Sequence, residues 1–367
     1  MTEHRCRACG GSRGTTVLDL GEQPAADHFP PASDPGPDPR FALSMWWCAD
    51  CCLAQLAEDE TSIEEPRGLE PRALVLQAQQ ALAQVAEAGF FQGRSTVGEF
   101  PSPHGGSWLG DAAAYGPTIV ADGAAEVLVD SFGIMHERDQ AAGVRRRAQR
   151  LAPGGVLLLQ YQSLDSIVSQ GAWNALRHGH FGYYSLLSLE PLLAQAGLRV
   201  LRAWDFDLYG GTVLLAVARA ADRQSVHPSV ALLAARDRAS GMADPTVLAT
   251  LQDHVDEHIA WLRRQLRDRR AAGRTVLGYG AASRAAALLA AARADTSLLP
   301  AIADGGTAKH GRRMPGTDIP IVSPAQLLEA DPDDVMLFLP DLLPEVTRSF
   351  PQLAGRWIAG VPSPPTG

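Results

Sequence analysis

The sequence has little of several features that mark common protein classes. Its 32 Lys and Arg residues are outnumbered by 41 Asp and Glu, a formal net charge of −9, so it lacks the basic character of a nucleic-acid-binding protein. No apolar run approaches the roughly 18–20 residues of a membrane helix, and the start, MTEHRCRACG, lacks the apolar core of a signal peptide. We therefore predict a soluble cytoplasmic protein whose partner is a small molecule, not nucleic acid or a membrane.

Cysteine is also scarce, and its five copies all lie within the first 52 residues. Cys6 and Cys9, like Cys48 and Cys51, form a C-x2-C knuckle, a spacing that lets a tight turn direct two thiolates at one tetrahedral metal. Four sulfurs leave no open coordination position, so the pattern predicts a structural zinc site. A disulfide pair or free thiols are the alternative, which a reducing compartment disfavours. Cys52 is predicted to pack rather than to ligate.

The module around these cysteines is assigned to residues 1–65. A unit of this size buries little core by itself, so the metal is expected to supply part of its folding free energy. Between the knuckles, a proline-dense stretch from Pro24 to Pro39 predicts a surface loop.

Residues 66–225 alternate between helical and strand patterns. An apolar stripe from Pro71 to Phe91 predicts a helix. Four short apolar runs predict strands, the last two close enough to form a hairpin: Glu126–Asp130, Gly155–Tyr161, Leu198–Trp204 and Thr212–Ala218. This order favours an α/β domain whose sheet has an antiparallel edge.

Residues 226–367 predict a connecting helix and a second sheet. The stripe from Val247 to Leu266 is typical of a helix packed on one face. Strands are predicted at Thr275–Gly278 and Val335–Leu339, and the first turns through a glycine-bearing segment, Gly278–Arg284, into an alanine-rich helix. Such a turn suits either an anion at the helix start or simple close packing.

Six segments, taken in order, resemble the deoxysugar C-methyltransferases of natural-product pathways. They are the two knuckles with MWWCADCCLAQL, then LAPGGVLLLQ, HGHFGYYSLLSLEPLLAQAGL, YGGT, GYGAASRAAALL and HGRRMPGTDIPI. The resemblance covers essentially the whole chain. It implies a zinc-binding module, a class I methyltransferase-like domain for S-adenosylmethionine (SAM), and a C-terminal Rossmann-like domain that helps hold the substrate.

The first SAM loop departs from the family pattern. Where the family carries V-V-E-I-G-S-N-D-G, this chain has V-G-E-F-P-S-P-H-G, which starts at Val97. Glu99 and Gly105 remain as candidate cofactor-binding residues. Pro101 and Pro103 fix φ and lack an N–H, so they stiffen the loop and remove two donors. SAM is therefore a possible but doubtful cofactor.

The same domain is shortened. Only Asp122–Ala125 separate a possible strand at Pro117–Ala121 from the strand at Glu126, whereas a crossover between parallel strands takes about a dozen residues. One wall of the SAM pocket is thus predicted to be deleted. In the next family segment, Asp130 is the third candidate cofactor-binding residue, and His136 matches the family histidine.

The family segment Y-H-E-H-x-S-Y-x-S-L, which brings acid and base groups to the substrate, reads R-H-G-H-F-G-Y-Y-S-L here. The resemblance implies His180 as the catalytic base, with His136 and His178 as further catalytic candidates; both forms of an imidazole are available near neutral pH. Arg177 replaces the tyrosine and Gly179 the glutamate. A cation here disfavours a nearby imidazolium and suits a carboxylate or phosphate. Without the family, a His-x-His loop is typical of solvated or capping side chains.

Several cations favour an anionic substrate, such as a nucleotide sugar, a carboxylate or a carrier-linked intermediate. The substrate-binding candidates are Arg177, Tyr183, Arg284, Lys309 and Arg312. Three functions stay open: a diverged family enzyme with histidine chemistry and weakened or lost methyl transfer, a working SAM-dependent sugar C-methyltransferase, and a non-catalytic ligand- or partner-binding homologue. The damaged SAM loop favours the first.

Overall fold

The computed structural model describes residues 4–61, 72–102 and 105–359. Its strands are β1 (Gly14–Pro24), β2 (Arg40–Cys48), β3 (Ala54–Leu56), β4 (Thr96–Phe100), β5 (Thr118–Ile119), β6 (Ala125–Ser131), β7 (Leu151–Gln162), β8 (Gly182–Tyr183), β9 (Leu198–Phe206), β10 (Thr212–Arg219), β11 (Val276–Tyr279), β12 (Ile302–Ala303), β13 (Ile321–Val322), β14 (Asp334–Leu337) and β15 (Trp357–Ala359). Its α-helices are α1 (Arg72–Glu87), α2 (Leu109–Ala113), α3 (Gln140–Arg150), α4 (Leu164–Ser169), α5 (Leu186–Gln195), α6 (Pro228–Ala239), α7 (Pro245–Ala271), α8 (Ser283–Ala292), α9 (Pro324–Ala330) and α10 (Leu343–Ser349).

The N-terminal sheet has the order β1-β2-β3-β8 and is antiparallel throughout. Its fourth strand comes from the middle of the chain, because Ala54 of β3 pairs with Tyr183 of β8. β8 begins two residues after His180. The segment with the histidines is therefore fastened to the cysteine-containing module.

The middle sheet has the order β5-β4-β6-β7-β10-β9. β5, β4, β6 and β7 are parallel, whereas β10 is antiparallel to both of its neighbours. The predicted α/β domain with an antiparallel hairpin is confirmed, and each of the four predicted strands lies within an observed one. The predicted first helix is α1; its proposed start at Pro71, like the proposed domain boundary at residues 65 and 66, lies outside the described residues.

The crossover from β5 to β6 is as short as the sequence predicts, since only residues 120–124 separate the two strands. These strands flank β4 on opposite sides. One guanidinium holds the crossover: Arg150 donates to the carbonyl oxygens of Glu99 at 3.0 Å, Gly123 at 3.2 Å and Ala121 at 3.4 Å. A single side chain thus braces the place where the predicted deletion falls.

The C-terminal sheet, β13-β12-β11-β14-β15, is entirely parallel, which confirms the predicted Rossmann-like arrangement. The predicted connecting helix is α7, which buries Leu248, Leu251, Leu262 and Leu266 on one face. In the described part of the chain, no helix has the length and apolarity that a membrane span needs.

The proline-dense stretch is only partly the surface loop that its composition predicts. Residues 31–37 are exposed, but Phe29 is buried and Asp38 accepts two hydrogen bonds from buried Arg313, at 2.6 and 2.7 Å. The prediction of a surface loop is therefore wrong for the parts of the stretch that contain Phe29 and Asp38. Phe29 and the Asp38–Arg313 ion pair pack these parts against the C-terminal domain. A bidentate pair of this kind fixes orientation as well as position.

Candidate functional site

The four predicted zinc ligands come together at one point. All four Sγ atoms lie within 4.8 Å of one another, with Cys6 and Cys51 3.5 Å apart and Cys9 and Cys48 3.6 Å apart. Tetrahedral zinc at about 2.3 Å from each thiolate places sulfurs about 3.8 Å apart, so these residues fit a closed structural zinc site. Cys52 lies outside this cluster, as predicted, and takes a left-handed backbone conformation with φ of +60°.

Backbone hydrogen bonds close each knuckle into a tight turn. The N–H of Gly10 donates to the carbonyl of Cys6 at 2.9 Å, and the N–H of Cys52 donates to the carbonyl of Cys48 at 2.9 Å. Cys48 is the last residue of β2, so the second knuckle is the turn that leads from β2 to β3. Each C-x2-C spacing in the sequence thus corresponds to one tight turn, and the two turns face each other across the four sulfurs.

A second centre joins two histidines that are distant in sequence. His136 ends a short 3-10 turn after β6, and its ring centroid lies 4.3 Å from that of His180 in an edge-on arrangement. The N–H of Phe181 donates to the carbonyl of Met135 at 2.7 Å, which ties the two segments together beside the rings. We call His136 and His180 the histidine pair.

Arg177 connects the histidine pair to the C-terminal domain. Its Nε donates to Nε2 of His180 at 2.9 Å, and its Nη1 donates to Oγ of Ser283 at 2.6 Å. Ser283 is the first residue of α8. Arg177 therefore links the histidine loop to the C-terminal domain.

Charge and hydrogen bonding around the histidine pair affect the two rings differently. Burial, and then the positive charge of Arg177, lower the pKa of His136 to about 3, so this imidazole stays neutral at physiological pH. The Nε2 lone pair of His180, which a base would use, already accepts a hydrogen bond from Arg177. The base role of His180 stays a prediction, and it requires this hydrogen bond to break.

His178 is separate from the histidine pair. It is 3% exposed, and its Nε2 lies 3.1 Å from the carbonyl oxygen of Ala42 in β2. Burial lowers its pKa. The adjacent Gly179 has φ of +80°, which favours glycine, and donates its N–H to Asp59 at 2.8 Å. His178 therefore joins the histidine loop to the zinc module, and its catalytic role stays a prediction.

Arg284 follows Ser283 at the start of α8. Its guanidinium lies 4.8 Å from the ring centroid of Tyr209 and donates to Gln162 at 3.0 Å. Tyr209 and Phe132 have φ of +53° and +63°, and their rings lie 5.9 Å apart. Strained non-glycine residues of this kind cluster at functional sites. Sequence reasoning missed Phe132 because positive φ leaves no signature at a phenylalanine.

Tyr183 lies in the core rather than at a ligand surface. The residue is fully buried, its hydroxyl donates to the carbonyl of Ala175 at 3.3 Å, and it accepts from the N–H of Arg177 at 3.1 Å. Burial raises its pKa, so the hydroxyl stays protonated. Its role is to support the backbone of Arg177.

Lys309 and Arg312 contact the N-terminal module. Nζ of Lys309 lies 4.5 Å from the ring centroid of Phe29 and donates to the carbonyl of Ala281 at 3.0 Å. Arg312 donates to the carbonyl of Phe29 at 2.8 Å. Asp304 accepts from the N–H of Ala281 at 2.8 Å, so a carboxylate of the chain itself lies at the turn before α8.

The first two cofactor candidates lie at the carboxyl end of β4. Glu99 accepts from Oγ of Ser107 at 2.5 Å and from the N–H of Trp108 at 3.0 Å, so its carboxylate organises the turn before α2. Gly105 has φ of +75°. Pro103, the second predicted loop proline, lies outside the described residues.

Asp130, the third cofactor-binding candidate, is fully buried inside the methyltransferase-like domain. It is 0% exposed and ion-paired with Arg147, which is 1% exposed and also donates to Glu137 at 2.8 Å. The guanidinium groups of Arg147 and Arg150 lie 4.4 and 5.0 Å from the ring centroid of Phe100, the last residue of β4. Side chains of the chain itself therefore occupy the edge between the ends of β4 and β6, which we call the cofactor edge.

Models of three protein domains match successive parts of the chain. A zinc binding domain matches residues 6–64, a methyltransferase domain matches residues 62–203, and a C-methyltransferase C-terminal domain matches residues 207–362. Together they extend over nearly the whole sequence, in the order that the resemblance implies.

A curated relative, the C-methyltransferase NovU of Streptomyces niveus, is 32% identical over 217 residues, or 58% of this chain. The match spans about half of that relative, 52% of its length.

Solved structures with similar folds include an O-methyltransferase family protein from Burkholderia thailandensis, 16% identical with a TM-score of 0.32, over 40% of this chain and 57% of that one. The mitomycin 7-O-methyltransferase MmcR is 17% identical with a TM-score of 0.33, over 40% of this chain and 56% of that one. The chain therefore carries, in this order, a zinc-binding module, a methyltransferase domain and a C-methyltransferase C-terminal domain, and it is similar to C-methyltransferases.

Proposed function

We propose that this protein is an enzyme of natural-product biosynthesis that has kept the family fold and its histidines while SAM-dependent methyl transfer has been weakened or lost. The observation that carries the proposal is the filled cofactor edge. Asp130 forms an ion pair with Arg147, and Glu99 accepts hydrogen bonds from the turn before α2. The crossover beside them has only residues 120–124.

The residues at the cofactor edge do not fit SAM. The reactive centre of SAM is a sulfonium cation, and the two guanidinium groups around Phe100 are cations as well. Both predicted carboxylates already have partners within the chain. A ligand would have to displace a buried ion pair, and breaking such a pair costs about 3–5 kcal/mol.

The chemistry we propose is activation of a carbonyl group by neutral imidazoles. A neutral imidazole with a strongly lowered pKa can donate a hydrogen bond to a carbonyl oxygen and stabilise the negative charge that develops there. His136 has such a pKa, and His180 lies against it. Arg284, whose guanidinium lies over the ring of Tyr209, supplies a positive charge for an anionic or nucleotide-linked substrate. Isomerisation, elimination and cyclisation all begin with this kind of activation.

Calorimetry with SAM tests the first half of the proposal. We expect no saturable heat when the zinc-loaded protein is titrated with millimolar SAM, because the cofactor edge is occupied. The Streptomyces niveus C-methyltransferase serves as the positive control. Micromolar affinity for SAM would contradict the proposal.

Deuterium exchange tests the second half. Carbonyl activation acidifies the neighbouring C–H bond, and solvent takes up the proton and returns a deuteron, so we expect the protein to catalyse exchange from D2O into a dTDP-linked keto sugar without SAM, measured by mass spectrometry. His136→Ala and His180→Ala should each lower the rate about 100-fold or more. His254→Ala, a partly exposed histidine on α7, is the control. A non-catalytic homologue would show no exchange.

A working SAM-dependent sugar C-methyltransferase is the second candidate function. The match of the methyltransferase domain model to residues 62–203 and the likeness to NovU favour it. The two candidates differ in one product, because only the second yields a methylated sugar when SAM and the keto sugar are supplied together.

A further inference from the structure

Arg177 makes an unusual kind of contact with His180. The guanidinium group stays protonated in proteins and has five N–H donors and no acceptor. Its Nε lies 2.9 Å from Nε2 of His180, so the hydrogen bond between them can run in one direction only. The ring nitrogen must be the acceptor, and Nε2 therefore carries no proton.

We propose that Arg177 is a positioning residue that fixes His180 as the neutral tautomer with its proton on Nδ1. A neutral imidazole has one protonated nitrogen and one lone pair, so a donor held at Nε2 determines where the proton resides. An imidazolium is excluded while this hydrogen bond persists, because both of its ring nitrogens are donors. His180 then offers Nδ1–H as its hydrogen-bond donor.

The chain holds Arg177 at both ends of its side chain. The N–H of its backbone donates to the buried hydroxyl of Tyr183 at 3.1 Å, and its Nη1 donates to Ser283 of the C-terminal domain at 2.6 Å. Ser283 is itself almost fully buried, at 4% exposure. The hydrogen bond from Nη1 to Ser283 limits the freedom of the guanidinium to turn away from His180.

The loop that carries His180 is fixed independently of Arg177. Asp59 of the zinc module accepts from the N–H of Gly179 at 2.8 Å, and Phe181 donates its N–H to Met135 at 2.7 Å. Removal of the Arg177 side chain therefore leaves the position of the imidazole largely unchanged. The proton on the ring is the property that should respond.

Nuclear magnetic resonance measures the tautomer without a substrate. In the zinc-loaded full-length protein with 15N-labelled histidine, the protonated and lone-pair nitrogens of each ring are distinguished by their shifts. His180→Gln identifies the His180 signals among the ten histidines. At pH 7 we expect His180 to carry its proton on Nδ1.

Three variants test the role of Arg177. Arg177→Met removes the donor, and the His180 signals should move toward the Nε2–H form. Arg177→Lys keeps a cationic donor without an acceptor and should preserve the Nδ1–H form. Arg284→Met, which removes the neighbouring cation, should leave the tautomer unchanged. Thermal unfolding verifies that each variant is folded.

The outcomes separate this inference from the proposed function, on which its catalytic meaning rests. An Nε2–H form or a doubly protonated ring in the unmodified protein overturns the inference, as does an unchanged tautomer in folded Arg177→Met. If Arg177→Met does not fold, the spectra of the unmodified protein and of Arg177→Lys still decide. If the protein binds SAM, or if it catalyses no deuterium exchange, the proposed function fails. The tautomer measurement still tests the role of Arg177 in either case.

Discussion

Arg147→Met is expected to lower the free energy of unfolding by about 3–5 kcal/mol, which is the cost of leaving a buried charge without its partner. Asp130 is fully enclosed and its ion-pair partner is Arg147, so the variant strands a carboxylate in a medium that solvates it poorly. Methionine fills most of the volume of the arginine stem, so the loss reports the charge rather than a cavity. Urea unfolding, monitored by circular dichroism, measures the difference.

Two further variants make this result specific. Asp130→Asn combined with Arg147→Met removes both charges and should recover most of the lost stability, since replacing a whole buried pair is often close to neutral. Arg146→Met is the matched control, because Arg146 is half exposed and pairs with Glu137 at the surface. It should change stability by less than about 1 kcal/mol. A loss of similar size in Arg146→Met would show that the burial of Asp130 is not the cause.

The ion pair also shows where prediction from the sequence ends. The knuckles were found because their meaning is local: four residues of spacing fix each turn, and the chemistry of sulfur identifies the metal. The strands of the middle sheet were found because each is a continuous apolar run. Asp130 and Arg147 meet across 17 positions, between a strand and a helix, and no local pattern distinguishes Arg147 from Arg145 or Arg146. The sequence therefore gives no sign that Asp130, a predicted cofactor-binding residue, is ion-paired with Arg147.

The histidine segment was identified, but the task of each residue was not. Sequence order places His178 beside His180, whereas the pairing of β8 with β3 turns His178 toward Ala42 of the zinc module. His136, 44 positions from His180, is the ring that lies beside it. Which nitrogen of a histidine is engaged depends on neighbours brought by tertiary structure, and for His180 that neighbour is Arg177. The sequence thus identifies the histidines, but it does not show which ring nitrogen accepts a hydrogen bond and which donates one.

Removal of the metal is expected to unfold the N-terminal module and to release about one zinc ion per chain. Binding of structural zinc contributes about 10–16 kcal/mol in small zinc-dependent domains, which is comparable to the whole stability of a typical domain, about 5–15 kcal/mol. The four cysteines here form a closed site within 4.8 Å, and a sheet of few strands surrounds it. A chelator titration with a colorimetric zinc assay, followed by circular dichroism, measures both effects. Metal-free protein of full stability would refute the tetrathiolate site.

Cysteine variants separate the ligands from the spare thiol. Cys48→Ser removes a ligand at the end of β2 and should abolish stoichiometric zinc binding, whereas Cys52→Ser, outside the cluster, should retain it. Hydrogen exchange should then show loss of protection in β2 and β3. Because β3 pairs with β8, and His178 contacts Ala42, protection should also fall in the loop that carries His180. Unchanged protection there would mean that the histidine loop is stable without the zinc module, and that the metal has no influence on the candidate reaction centre.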